Sequence, residues 1–189
     1  MKTKIIGVGG GATNILSYIS RKSKFMKSTE LVSINTDRLA RLNNELVHYL
    51  YLGDESVANG TNGDPALAQQ AFNSSNSEIF ATLKDSKDIF VIACLGGGTG
   101  SGVTPDLIKM IKSLKLPFFV VVTMPMNFEK RQELAEHVLK TITKQTTSIR
   151  VIYLEEEFEF ALNSKDMSLK DLFAKVSGDV KSIFDSWNM

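Results

Sequence analysis

The sequence is sparing with several residue types, and each scarcity rules something out. One cysteine, Cys94, occurs in 189 residues, which excludes an internal disulfide framework and a thiolate metal cage and fits a reducing, cytoplasmic setting. Cys94 ends an apolar run, so it is expected as a buried, inert thiol. Only two histidines are present. His48 and His137 lack partners at metal-ligand spacing, and neither a metal centre nor a Ser-His-Asp or Cys-His arrangement is legible. No apolar run approaches the roughly 20 residues of a membrane helix, and the short apolar run after Met1-Lys2-Thr3-Lys4 is too brief for a signal segment. Charge of one sign is not in excess either: 22 Lys and Arg stand against 21 Asp and Glu, for a net charge of +1. Nothing in that balance calls for nucleic acid or a membrane surface as a partner.

What is present reads as one folded α/β domain over residues 1–189. The chain is 43% hydrophobic and 23% charged, close to the average for globular proteins. Short apolar runs at 4–8, 31–34, 47–52, 89–94, 116–123 and 149–154 read as strands. Helical spacing at 12–21, 65–83, 103–114, 129–147 and 168–187 places helices between or after them. Leu67, Ala71, Ile79 and Leu83 are the inward positions expected of the 65–83 helix. Leu169, Leu172, Phe173, Val176, Val180, Ile183 and Phe184 form the apolar face expected of the last one. Trp187 is left open, as a cover for the core or an exposed side chain. Asp37 can cap the segment that carries Leu39 and Leu42, and the Gly-, Asn- and Asp-rich stretch 53–65 reads as a long surface loop. Alternation with short connections implies a three-layer, Rossmann-like parallel sheet with helices on both faces.

Two glycine-rich loops carry the chemistry. Gly9-Gly10-Gly11 follows the first strand, and Gly96-Gly97-Gly98-Thr99-Gly100-Ser101-Gly102 follows the fourth. Such density lets backbone N–H groups converge at a helix mouth, with the hydroxyls of Thr99 and Ser101 beside them, as an anion cradle suited to phosphates. In a doubly wound sheet ligands lie at the carboxyl ends of the strands, where both glycine loops, Asn35-Thr36-Asp37, the 53–65 loop and Thr123–Glu129 all fall. A dinucleotide fingerprint is satisfied by Gly7-Val8-Gly9-Gly10-Gly11-Ala12, but no acid ends the second strand at the expected distance of about twenty residues. A P-loop is excluded because no glycine is followed by Lys and then Ser or Thr in frame. Neither rival accounts for the loop at 96–102.

Two glycine loops in this order, with Asn35-Thr36-Asp37 between them, resemble the tubulin and FtsZ family of polymerising GTPases, the FtsZ side more closely. The loop at 96–102 is similar to the signature loop of that family. Gly60-Thr61-Asn62-Gly63-Asp64-Pro65 resembles its γ-phosphate loop, and Val121-Val122-Thr123-Met124-Pro125-Met126-Asn127-Phe128-Glu129 its ribose-side loop. The resemblance implies GTP or GDP as ligand, with Mg2+ held through the phosphates. It implies nucleotide contacts from Gly9, Gly10, Gly11, Asn14, Asn35, Asp37, Gly60 to Asp64, Gly96 to Ser101, Pro125, Glu129, Arg131, Phe173 and Ser177.

The sequence also departs from the family. Where the family has Gly after Phe-Glu, this chain has Lys130, and Arg131 stands in for the basic residue in a shifted frame. Leu154-Glu155-Glu156-Glu157 replaces Pro-Asn-Asp. Phe173 takes the base-stacking position, but Ser177 stands where a carboxylate that reads guanine is expected. Glu155, Glu156 or Asp179 is the alternative acceptor, unless the acidic run is a solvated helix start. The family's acidic catalytic loop and second domain would follow residue 187. The resemblance therefore implies a GTP-binding domain linked to filaments or cell division that hydrolyses little alone. A non-catalytic cap on filaments of a full-length FtsZ-like subunit, or a degenerate domain that binds no nucleotide, are the alternative readings.

Overall fold

The computed structural model describes residues 1–22, 28–162 and 168–187. The side chains of Lys22, Ala161 and Leu162 lie outside that description. Six parallel strands form one sheet: β1 (Lys2–Val8), β2 (Thr29–Asn35), β3 (Val47–Tyr51), β4 (Ser86–Cys94), β5 (Phe118–Met124) and β6 (Ile149–Tyr153), in the order β3-β2-β1-β4-β5-β6. Registers run Ile6↔Val32 and Ile6↔Val91 through the middle. The central strands are continuous apolar runs because helices cover both of their faces. Helices α1 (Gly9–Lys22) and α7 (Leu169–Trp187) pack on one face. On the other lie α2 (Pro65–Ser74), α3 (Asn76–Leu83), α4 (Gly98–Ser113) and α5 (Gln132–Gln145), and α6 (Leu154–Leu162) follows β6.

The two faces make separate cores. One holds Val8, Phe72, Val91, Leu107 and Ile111 among others, and the other holds Ile5, Leu16, Phe90, Val176 and Phe184. Phe184 meets Phe90 edge-on at 5.2 Å, and Trp187 leans on Phe90 at 5.6 Å. Trp187 therefore closes the bottom of the second core while keeping part of its surface outside.

Several boundaries differ from the sequence reading. The 65–83 helix is two helices, broken at Ser75, whose hydroxyl accepts from Gly53 N–H at 3.0 Å and so ties the preceding loop to the break. Leu67 is 41% exposed rather than inward, as are Leu169 (52%) and Phe173 (48%) on α7. Helices α1 and α4 start inside the glycine loops, at Gly9 and Gly98, several residues earlier than expected. Asp37 Oδ1 accepts from Leu39 N–H (2.9 Å) and Ala40 N–H (3.3 Å), but it caps a turn and no helix follows. The acidic run does start a helix, with Glu155, Glu156 and Glu157 in the first turn of α6, where the helix dipole favours them.

After β5 the chain makes a 3₁₀ turn over Asn127–Glu129. It ends at Lys130, whose φ of 54° lies in the left-handed region. That is the position where the family pattern has glycine, and a non-glycine residue there costs roughly 1–2 kcal/mol. Lys130→Gly is therefore expected to raise stability by about 0.5–1 kcal/mol, once the larger freedom of glycine in the unfolded chain is offset. Urea unfolding measures the shift. Phe184→Ala should cost about 3–5 kcal/mol in the same assay, whereas Leu39→Ala, at a position 79% exposed, should change stability by less than about 0.5 kcal/mol.

Candidate nucleotide cleft

A cleft of about 460 Å³ opens at the carboxyl ends of the strands and is walled by five loops: those after β1, β2, β4 and β5 and the 60–63 stretch before α2. Strand order reverses between β1 and β4, which is where a doubly wound sheet leaves its crevice. The two glycine loops meet there, and their closeness depends on bare backbone. Gly9 has φ 81°, and a Cβ on it would stand 3.2 Å from Gly100 N. A Cβ on Gly98 would overlap Thr61 Oγ1 and lie 3.0 Å from the backbone N and O of Asp64. Three loops are thus packed backbone to backbone, and the N-termini of α1 and α4 end on the same wall.

Hydroxyls lock the loops to one another. Thr36 and Thr99 share a hydrogen bond of 2.9 Å, linking the β2 loop to the β4 loop. Thr13 bonds Ser33 at 2.7 Å and donates to Gly9 O at 3.0 Å. Ser101 accepts from Gly96 N–H at 2.9 Å, which closes the signature-like loop on itself.

Of the residues expected at the site, Gly9, Gly10, Gly11, Asn35, Asp37, Gly60, Thr61, Gly63, Gly97, Gly98, Thr99, Gly100, Pro125, Glu129, Arg131 and Phe173 line the cleft. Six others do not, and most are held by other partners. Ser101 is turned toward Gly96, and Gly96 packs against Pro125 and Arg131. Asp64 caps α2 through Ala66 and Leu67 N–H. Asn62 is exposed at φ 48°, and Asn14 is exposed on α1. Ser177 donates to Phe173 O at 2.7 Å and is 6% exposed. The cleft also takes in Val8, Thr36, Cys94, Leu95, Thr123 and Leu154. Thr36 and Thr123 belong to loops that the sequence already places at this edge, whereas Val8, Cys94, Leu95 and Leu154 sit at or just past strand ends, where apolar patterning hides a wall position.

Among the described residues that line the cleft, the charged groups are Asp37, Glu129 and Arg131. Glu129 Oε1 accepts from Met126 N–H at 2.9 Å, so both carboxylates cap their own loops. The three alternative base-reading acids stand outside the lining. Glu155 accepts from Asn127 N–H at 2.7 Å, and Asp179 pairs with Lys175 at 3.1 Å. Lys175 also binds Glu157, and those carboxylates hold its ammonium pKa above the usual lysine range. Cys94 lines the floor beneath Gly11, half-buried where a buried thiol is expected from the sequence, and its partial burial pushes the thiol up in pKa, with Thr123 opposing the shift to a lesser degree. No group of His, Cys, Asp and Glu among the described residues could hold a metal ion, and no described helix is long and apolar enough to cross a membrane.

Comparison with known proteins agrees with this geometry. A profile of the Tubulin/FtsZ family, GTPase domain, matches residues 2–156. The chain is 30% identical over 181 residues to the cell division protein FtsZ of Buchnera aphidicola, covering 94% of this chain and 46% of that protein. It is 33% identical over 154 residues to FtsZ of Helicobacter pylori, covering 80% and 40%. A solved FtsZ dimer from M. jannaschii superposes with a TM-score of 0.83 at 27% identity over 95% of this chain and 52% of that one. The chain thus spans less than half the length of these curated relatives. With the sheet order, the paired glycine loops and the sequence match in agreement, the chain belongs to the tubulin/FtsZ family and carries the fold of its GTPase domain.

Proposed function

We propose that the cleft binds GTP or GDP, with the phosphates in the two glycine loops and the base beside Phe173, and that the chain serves a filament or cell-division function like that of its FtsZ relatives. The observation that carries this reading is the meeting of two helix N-termini on one glycine wall. Backbone N–H groups and helix dipoles neutralise phosphate there without a lysine, and the described cleft lining contains none. Magnesium would enter with the phosphates, its remaining ligands phosphate oxygens and water. Thr61, Gly63 and Thr99 border the phosphate end, while Glu129 and Arg131 flank the ribose.

Turnover by this chain alone is expected to be slow. Phosphoryl transfer needs a positioned water and well-placed charge, and both carboxylates on the cleft wall are committed to capping their loops. A second reading, favoured by the exposed Phe128 (62%) and Phe160 (60%) of the turn after β5 and of α6, is contact with a full-length FtsZ-like subunit. That contact would shorten its filaments when this chain is added below stoichiometry, which light scattering reads; unchanged filaments reject it.

Equilibrium titration with GTP and magnesium tests the main reading. Gly98→Ala is expected to lower GTP affinity at least tenfold, because the new methyl meets the backbone of Asp64, and to destabilise the fold by about 1–3 kcal/mol. Undisturbed binding in that variant, checked by circular dichroism for folding, would sink the assignment of the phosphate loops. Cys94 supplies an independent reporter. With its pKa raised, alkylation by iodoacetamide should be slow at neutral pH and accelerate as pH rises, and bound nucleotide should slow it further.

A further inference from the structure

The cleft wall that carries Pro125, Glu129 and Arg131 belongs to the loop after β5, and side chains from three elements fix its backbone. From α5, Gln132 Nε2 donates to Met126 O at 2.6 Å and to Asn127 Oδ1 at 3.3 Å. From α6, Glu155 Oε2 accepts from Asn127 N–H at 2.7 Å. Within the loop, Glu129 Oε1 accepts from Met126 N–H at 2.9 Å. Helix α6 meets the turn a second time where Phe158 packs edge-on against Phe128, ring centroids 6.0 Å apart. Lys130 follows, left-handed at φ 54°. A non-glycine residue persists there when its surroundings over-determine the backbone, and these bonds supply that constraint. The start of α6 thus divides its work: Leu154 lines the cleft with a buried side chain, and Glu155, the next residue, turns to the loop beside it.

On the reading that the cleft binds nucleotide, we propose that Glu155 is a positioning residue for its nucleoside end: through Asn127 N–H it holds the loop after β5 so that Glu129 and Arg131 face the ribose. A carboxylate accepting from a backbone N–H makes a charge-assisted bond, stronger than a neutral one. A loop already held in its bound conformation costs little ordering when the ligand arrives, so releasing it weakens affinity without removing a ligand contact. The phosphate end is fixed by other bonds, Thr36 to Thr99 and Gly96 N–H to Ser101. The effect of Glu155 is therefore confined to ligands that carry a ribose.

The test compares the wild-type chain with Glu155→Ala, Glu155→Gln and Glu156→Ala by equilibrium titration with GTP and with inorganic tripolyphosphate, each with magnesium, and by amide hydrogen exchange over residues 125–131. Glu155→Ala is expected to weaken GTP about fivefold, to leave tripolyphosphate unchanged and to speed exchange at the Asn127 amide about tenfold. Glu155→Gln keeps an oxygen for the same bond and should recover most of both losses. Glu156→Ala removes the same charge from the same helical turn and should match the wild type. Equal losses in Glu155→Ala and Glu156→Ala assign the effect to the charge of the helix start and overturn the inference. So does a loss of tripolyphosphate alongside GTP, which marks a general loosening of the fold. Wild-type binding of GTP with Glu155→Ala undiminished rejects this inference alone, whereas a wild-type chain that binds neither ligand rejects the nucleotide cleft with it.

Discussion

The closeness of two glycine loops is the constraint on which the rest of this structure depends. β1 and β4 are neighbours at the middle of the sheet, and each ends in a helix whose first residues are glycine. Gly9 can stand against the backbone of Gly100 because it lacks a side chain, and bare backbone at Gly98 lets the 61–64 stretch close on the same wall. The cleft follows from that approach. So do the hydroxyl bridges Thr36–Thr99 and Thr13–Ser33, which hold the neighbouring loop and strand at fixed distance. The phosphate-side wall of the cleft is built mainly of main-chain groups, with side chains as spacers and locks.

That choice shapes the electrostatics. A triphosphate carries several negative charges, yet the described lining offers Arg131 against Asp37 and Glu129. On the proposed reading the attraction would come from helix N-termini and converging N–H groups, whose partial charges act over a short range and are little affected by distant surface charge. A near-neutral chain, at +1 overall, is compatible with such a site because the attraction is local.

Much of this was legible in the sequence, and the misses have physical reasons. Strand-helix alternation and the glycine clusters marked the layers, the sheet and the edge where loops converge, because periodicity and turn chemistry are local properties. Glycine also concealed the helix starts at Gly9 and Gly98, since a residue with low helix propensity does not announce a helix that tertiary packing imposes. The break at Ser75 was invisible because it depends on a hydrogen bond to Gly53, remote in the chain. Leu67, Leu169 and Phe173 have the spacing of core residues and lie outside it, since helical periodicity identifies a face without saying how wide the covering layer is. Wall positions such as Val8 and Leu95 carry no such signal, being ordinary apolar residues at strand ends until the loops close around them.

The sheet tapers outward. β4, at its centre, has nine residues, while the edge strands β3 and β6 have five each. Short borders present few unpaired amides, so the sheet is a poor template for a strand from another chain and is protected from edge-to-edge aggregation. Recognition between molecules is thereby left to helix and loop surfaces. Those surfaces vary one side chain at a time without altering the ladder beneath, which lets a rigid scaffold acquire new neighbours while its interior stays the same.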